Sequence, residues 1–168
     1  MKNKVAICIA GEMRYWEITK DIFNSFDADI FISTWDTNDR QDNYPYKFHG
    51  NNNMNMDIIN SLDNLKEAEF LPKEIENKFT FNIPKYWYLI HRCNLLKTKQ
   101  EVKKNFKYDL VLITRPDVLY DKSLLENLKK WFDFNHLKNY PPNHPATQSS
   151  PSDHFEICLS NDDDVHVV

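Results

Sequence analysis

Glycine is scarce in this sequence: the 168 residues include only two, Gly11 and Gly50. Loops that cradle phosphates, such as the P-loop or the G-x-G-x-x-G turn, need several glycines so that the backbone can approach the ligand. Neither pattern occurs in the chain. This shortage argues against P-loop nucleotide hydrolysis and against ordinary dinucleotide-binding dehydrogenase chemistry.

Cysteines and long apolar runs are also few. The three cysteines lie far apart, each within an apolar run, which favours buried reduced thiols over a disulfide framework, a zinc site or a nucleophile. No stretch approaches the roughly 18 apolar residues that a membrane span requires. The run Val5–Ala10 is short and is followed at once by Glu12 and Arg14, so it predicts a buried strand and not a signal peptide.

Neither sign of charge dominates the chain. Lys and Arg number 21 against 25 Asp and Glu, which gives a formal net charge of -4. A general nucleic-acid binder needs a basic face that meets phosphates, so we expect no nucleic-acid partner. The length fits one domain over 1–168, and 41% hydrophobic residues supply a core for it.

The first third of the chain has the pattern of a β-α-β unit. Val5–Ala10 is a continuous apolar run, as expected for a strand that is covered on both faces. A helix is predicted over 15–26 and a second strand over 28–34. This order implies a parallel pair of strands with a right-handed crossover.

The rest of the chain continues the alternation of helices and strands. The clearest helix is predicted over 84–106, with Lys97, Lys99, Lys103 and Lys104 facing outward. Its apolar stripe consists of Tyr86, Leu89, Ile90, Cys93, Leu96, Val102 and Phe106. The other predictions are a loop over 36–56, a helix over 57–65, strands over 69–71, 110–114 and 118–120, a helix over 123–132, a loop over 133–152 and a strand over 155–159.

Polar residues follow three of the predicted strands, in the segments Gly11–Arg14, Thr34–Asp36 and Thr114–Asp117. The carboxyl ends of parallel neighbours meet at one edge, where ligands of open sheets bind. Arginine suits phosphate oxygens, and an aspartate holds a divalent cation or accepts from a ribose hydroxyl. A diphosphate-bearing ligand fits this combination. A second interpretation stays open, in which Arg115 and Asp117 form a local ion pair that closes the strand.

Two further residues are candidates for a ligand site. The tryptophans are mostly expected in the core, but Trp35 sits at a strand end, where its ring can stack on a base or a sugar. Asp153 follows the polar loop and precedes the last strand. The Asp162–Asp164 segment near the end of the sequence is interpreted as a solvated acidic tail.

Three segments in this order resemble a family of glycosyltransferase-like proteins. They are Val5–Arg14 (VAICIAGEMR), Asp29–Asp36 (DIFISTWD) and Tyr108–Asp117 (YDLVLITRPD), and the Tyr86–Tyr88, Cys93–Asn94 and Asp153–Phe155 segments are also similar to the family. The family occurs in bacterial surface-polysaccharide loci and in large viruses, and it includes lipopolysaccharide-synthesis proteins of the WavE type. The similarity spans roughly residues 4 to 160.

The resemblance implies a three-layer α/β fold with a mostly parallel central sheet, of the Rossmann-like GT-A type that binds nucleotide-sugars. It implies that Gly11 and Arg14 contact the nucleotide or its diphosphate, with Trp35 and Asp36 beside them. Arg115 and Asp117 take the place of the family's DxD motif, although this sequence has Arg-Pro-Asp there. Either Asp117 holds Mn or Mg, or Arg115 itself neutralises the leaving diphosphate.

Asp153 is the candidate base that deprotonates the acceptor hydroxyl in an inverting reaction, with His154 as a weaker candidate. A second interpretation stays open, in which Asp153 caps the next element, the predicted strand over 155–159.

The expected function is therefore sugar transfer, in polysaccharide biosynthesis, from a nucleotide-diphosphate donor to a glycan or lipid-linked acceptor. We expect it in the cytoplasm, or in the host cytoplasm if the chain is viral, without a membrane span. The chain is short for this family, so the acceptor side is expected to be truncated. The alternatives are a non-catalytic or degenerate module that binds nucleotide-sugars or carbohydrate, and an α/β interaction protein without a small ligand.

Overall fold

The computed structural model describes residues 4–13, 16–36 and 59–117, together with the backbone of a strand at 155–159. The strands are β1 (Val5–Ala10), β2 (Asp29–Trp35), β3 (Leu65–Leu71), β4 (Leu110–Thr114) and β5 (Phe155–Leu159). The helices are α1 (Trp16–Asn24), the single turn α2 (Lys73–Glu76) and α3 (Asn82–Lys104).

The strands form one sheet in the order β3-β2-β1-β4-β5. β1 pairs in parallel with both β2 and β4, and β2 pairs in parallel with β3. β5 joins the outer side of β4 and runs antiparallel to it. Four strands are thus parallel, and the predicted α/β class and parallel β1–β2 pair are confirmed.

Core clusters cover both faces of the sheet. On one face, Val5, Ile7 and Ile9 pack with the side chains of α1, including Trp16 and Phe23. On the other face, the intervening residues Ala6, Cys8 and Ala10 pack with α3. β1 is therefore covered on both sides, which explains why it is a continuous apolar run. Cys8 and Cys93 are buried free thiols, as predicted.

α3 begins two residues before Pro84, which falls in the first turn, where proline is tolerated. It ends with Asn105 in the left-handed conformation at φ 50, a common helix terminator. Leu89, Ile90, Cys93 and Leu96 are buried, as predicted.

Two side chains of α3 differ from the prediction. Lys97 is only 4% exposed because its Nζ lies 2.9 Å from Oε2 of Glu101, one turn later. Val102, predicted in the apolar stripe, is 76% exposed.

β3 is held against α3 by charge. Basic residues seven positions apart on the helix, Lys85, Arg92 and Lys99, pair with acidic residues of the β3–α2 segment. Seven residues are about two helical turns, so the three basic residues share one face. Their partners are Glu76, Glu69 and Glu67, respectively. β3 starts at residue 65 and not at the predicted residue 69.

Several predicted elements fall wholly or partly outside the described residues. These are the loop over 36–56 beyond Asp36, the strand over 118–120, the helix over 123–132 and the loop over 133–152. For the helix predicted over 57–65, the described part begins with Ile59 in helical conformation, turns follow it, and Leu65 already belongs to β3. Within the described ranges, no helix is long and apolar enough to cross a membrane.

Candidate functional site

The direction in which strands are added to the sheet reverses between β1 and β4. The chain places β2 and then β3 on one side of β1, after which α3 leads back to β4 on the other side. The crossovers after β1 and before β4 use α1 and α3, which pack on opposite faces. In open α/β sheets the crevice outside the carboxyl ends of the strands at such a point is the usual ligand site. Residues 11–13 and 115–117 follow these two strands and lie at this edge.

Gly11 brings the ends of β1 and β4 into contact. Its φ is 140°, and a Cβ at this position would lie 3.1 Å from Cδ of Pro116 and 3.9 Å from Cγ of Arg115. The Gly11 amide donates to the carbonyl of Ser33 in β2 at 3.3 Å. The structure therefore places Gly11 directly beside the Arg115–Pro116 segment, and a side chain at residue 11 would disturb this approach.

Arg115 and Asp117 form a two-bond ion pair. Nε of Arg115 donates to Oδ1 of Asp117 at 2.7 Å, and Nη2 donates to Oδ2 at 2.5 Å. Burial lowers the pKa of the Arg115 guanidinium, but the hydrogen bond and charge of Asp117 outweigh that effect and raise it overall. The Arg115 side chain is 27% exposed, and its guanidinium is always charged. Two of its five N–H donors are directed at Asp117, its only hydrogen-bond partner among the described residues.

Pro116, between these two residues, is held from the other side by α1. The Thr19 hydroxyl donates to the Pro116 carbonyl at 2.7 Å, in a bond that is buried and joins residues 97 positions apart. Thr19 itself is 0% exposed. Thr19 is not among the site residues that the sequence predicts, and its only signal there is its spacing from Trp16 and Phe23 on the buried side of the predicted helix.

Asp36 follows β2 at the same edge. Its amide donates to the Leu71 carbonyl at 2.9 Å, which fixes its backbone beside β3. Oδ1 of its carboxylate is buried and has no hydrogen-bond partner among the described residues. An unpaired buried acceptor costs free energy, and a ligand that brings a donor relieves this cost.

Trp35, the residue before Asp36, is in the core. It is 2% exposed, and its ring stacks on Tyr88 of α3 with the centroids 6.4 Å apart and the planes at 10°. Tyr88 in turn contacts Phe79. In this structure Trp35 anchors the end of β2 to α3.

The remaining predicted site residues are not all placed. Arg14, Asp153 and His154 lie outside the described residues, so the meeting of two arginines stays a prediction. Both carboxylate oxygens of Asp117 accept hydrogen bonds from Arg115. In this arrangement, therefore, neither oxygen is left open to a cation. Over the described ranges, no group of three or more His, Cys, Asp or Glu residues is arranged to hold a metal ion.

The arrangement combines the charged Arg115 guanidinium with a buried acceptor, Oδ1 of Asp36, to which no described residue donates. Arg115 follows β4 and Asp36 follows β2, the strands on either side of β1. A ligand with both anionic oxygens and hydroxyl or N–H groups suits this edge chemically. Comparisons with protein-family models, with curated proteins and with solved structures return no match to this chain.

Proposed function

We propose that this chain is a glycosyltransferase that moves a sugar from a nucleotide-diphosphate donor to a glycan or lipid-linked acceptor. The donor binds at the carboxyl edge of the sheet, across the ends of β2, β1 and β4. The order β3-β2-β1-β4 of the parallel strands is the one used by doubly wound nucleotide-binding folds, which supports the Rossmann-like GT-A type. Free buried thiols at Cys8 and Cys93 suit a reducing compartment, in line with activity in the cytoplasm.

The observation that carries the proposal is that one edge of the sheet holds both a charged guanidinium and a buried carboxylate oxygen with no donor within the described part of the chain. Asp36 and Arg115 follow strands two positions apart in the sheet, a separation of about 10 Å. A nucleoside diphosphate is long enough to reach both residues. Its ribose or base supplies the donor for Oδ1 of Asp36, and its phosphates accept from the remaining N–H groups of Arg115.

Arg115 assists the reaction by charge neutralisation. When the acceptor hydroxyl attacks, the bond from the anomeric carbon to the donor's phosphate oxygen breaks, and the diphosphate leaves with the electron pair. A preorganised guanidinium at that oxygen stabilises the developing charge. Asp117 keeps the fork oriented, and Asp153 is the proposed base that takes the proton of the acceptor. Because the Asp117 carboxylate is already engaged with Arg115, no step is assigned to Mn or Mg, and a metal on Asp117 stays a prediction.

Calorimetric titration with nucleoside diphosphates and their sugars tests the proposal. Arg115→Ala is expected to weaken diphosphate binding about 100-fold, or about 2.7 kcal/mol, because a forked charge-assisted contact is lost. Arg115→Lys, which retains the charge without the fork, is expected to bind with intermediate affinity. Arg92→Ala is the matched control, since Arg92 of α3 makes an equivalent two-bond pair with Glu69 of β3. An Arg115→Ala variant that binds diphosphates like the wild type would disprove the donor site.

A non-catalytic module that binds nucleotide-sugars is the second candidate. The Arg115–Asp117 ion pair favours it, because a pair of this kind can close the end of β4 without taking part in catalysis. Mass spectrometry that monitors release of the sugar from a bound donor distinguishes the transferase from the binding module. Binding without any turnover in the presence of varied acceptors would establish the module and exclude the transferase.

A further inference from the structure

Two residues, Gly11 and Thr19, contact Pro116 at the centre of the Arg115–Asp117 turn. Gly11 packs against the Pro116 ring from the end of β1. The Thr19 hydroxyl holds the Pro116 carbonyl from the first turns of α1. Pro116 is itself buried, so the central residue of the turn is fixed by its ring and by its carbonyl oxygen.

The orientation of the Pro116 carbonyl affects the direction of the Arg115 guanidinium. The Pro116 carbonyl belongs to the peptide that joins Pro116 to Asp117, and rotation of that peptide redirects the Asp117 side chain. Asp117 accepts both hydrogen bonds that orient the Arg115 guanidinium. A change at Thr19 is therefore transmitted through one peptide and one ion pair to the guanidinium.

We propose that Thr19 is a positioning residue for phosphate recognition: its hydroxyl sets the Pro116 carbonyl and thereby aims the Arg115 fork. This inference rests on the proposed function for the identity of the ligand. It adds that the α1 hydroxyl affects the phosphate end of the ligand only. Asp36, which we assign to the nucleoside end, follows β2, and its amide donates to the Leu71 carbonyl.

The inference is tested by measuring the affinities of the wild type, Thr19→Val and Thr19→Ser for a nucleoside diphosphate and for the matching nucleoside. Thr19→Val removes the hydroxyl with little change of shape and is expected to weaken diphosphate binding about tenfold, the equivalent of one hydrogen bond. Nucleoside affinity is expected to stay the same. Thr19→Ser restores a hydroxyl and is expected to recover diphosphate binding. Equal losses for both ligands, or no recovery with serine, would overturn the positioning role.

A ligand-free readout keeps this test separate from the proposed function. The Arg115 Nε–H, bonded to Asp117 at 2.7 Å, is expected to give a slowly exchanging nitrogen-15 NMR signal in the wild type. Thr19→Val is expected to accelerate its exchange, whereas Thr19→Ser is not. Ser25→Ala is the control, because it deletes a hydroxyl just beyond the end of α1 that donates only to the nearby Ile22 carbonyl. If the wild type binds no diphosphate, the proposed function fails, and an unchanged Arg115 signal in Thr19→Val would refute the positioning role independently.

Discussion

Gly11 occupies a backbone conformation that side chains rarely adopt, at φ 140°. A methyl group there also meets Cδ of Pro116 at 3.1 Å, inside ordinary contact distance. We expect Gly11→Ala to lower the free energy of unfolding by about 1–3 kcal/mol, the usual cost of such strain, when measured by urea denaturation. Asn60→Ala in an exposed turn is the control. A Gly11→Ala loss no larger than the control's would show that the end of β1 adjusts freely.

The site residues differ in how far sequence could predict them. Arg115 and Asp117 were recognisable because they interrupt an apolar run, and their mutual ion pair was one of two interpretations. Trp35 shows the limit of this reasoning, because a strand-end position does not tell whether a helix 50 residues later covers the ring. Thr19 was out of reach, since its partner Pro116 lies 97 positions away.

At the level of elements, the carboxyl end of α3 contains a buried ion pair with a structural role. Glu101 is 1% exposed; its Oε2 faces Lys97 at 2.9 Å, and its Oε1 accepts the Tyr108 amide at 3.1 Å. Glu101 thus connects the last turns of α3 to the segment that enters β4. Lys107 also approaches it, at 3.7 Å, from the surface.

Lys97→Met is expected to destabilise the protein by about 3 kcal/mol, because it leaves the buried Glu101 charge with only the surface ammonium of Lys107, at 3.7 Å. Glu101→Gln leaves the Lys97 ammonium in the same position. The double variant is expected to cost less than the two single losses added together, since no unpaired charge remains. Urea denaturation of the four proteins gives the coupling free energy, with exposed Lys103→Met as control. Additive losses would mean that the two side chains are stabilised separately.

Elements defined by continuous apolar runs were predictable, and those defined by tertiary partners were not. The bounds of β1 and β4 agree with the predicted runs because both strands are buried on both faces and end at polar residues. β3 contains Glu67 and Glu69 within its span, so its sequence resembles an exposed segment. These two carboxylates belong to a strand because they pair with Arg92 and Lys99 of α3. The sequence predicts that helix independently and does not show the pairing.

For the molecule as a whole, the strand order determines both the site and the distribution of stability. β1 lies between β2 and β4, and its side chains are covered on both faces. β3 lies at the outer end of the described sheet, and its residues before Leu71 are largely half-buried. Sequence order alone predicted that polar strand ends share an edge. The reversal between β1 and β4 could not be predicted in this way, because the sequence does not tell on which side of β1 the last parallel strand, β4, pairs.

Hydrogen exchange followed by mass spectrometry is expected to divide the sheet along this gradient. Amides of β1 and β4 should exchange only through global unfolding, while β3 opens locally and exchanges sooner. Arg92→Ala, which removes the two-bond contact with Glu69, should accelerate exchange in β3 with a much smaller effect on β1. Lys103→Ala, at an exposed position on the same helix, is the control and should leave β3 unchanged. Equal protection of β3 and β1 in the wild type would show that the sheet unfolds as one unit and that the ion pairs to α3 do not define a separate edge.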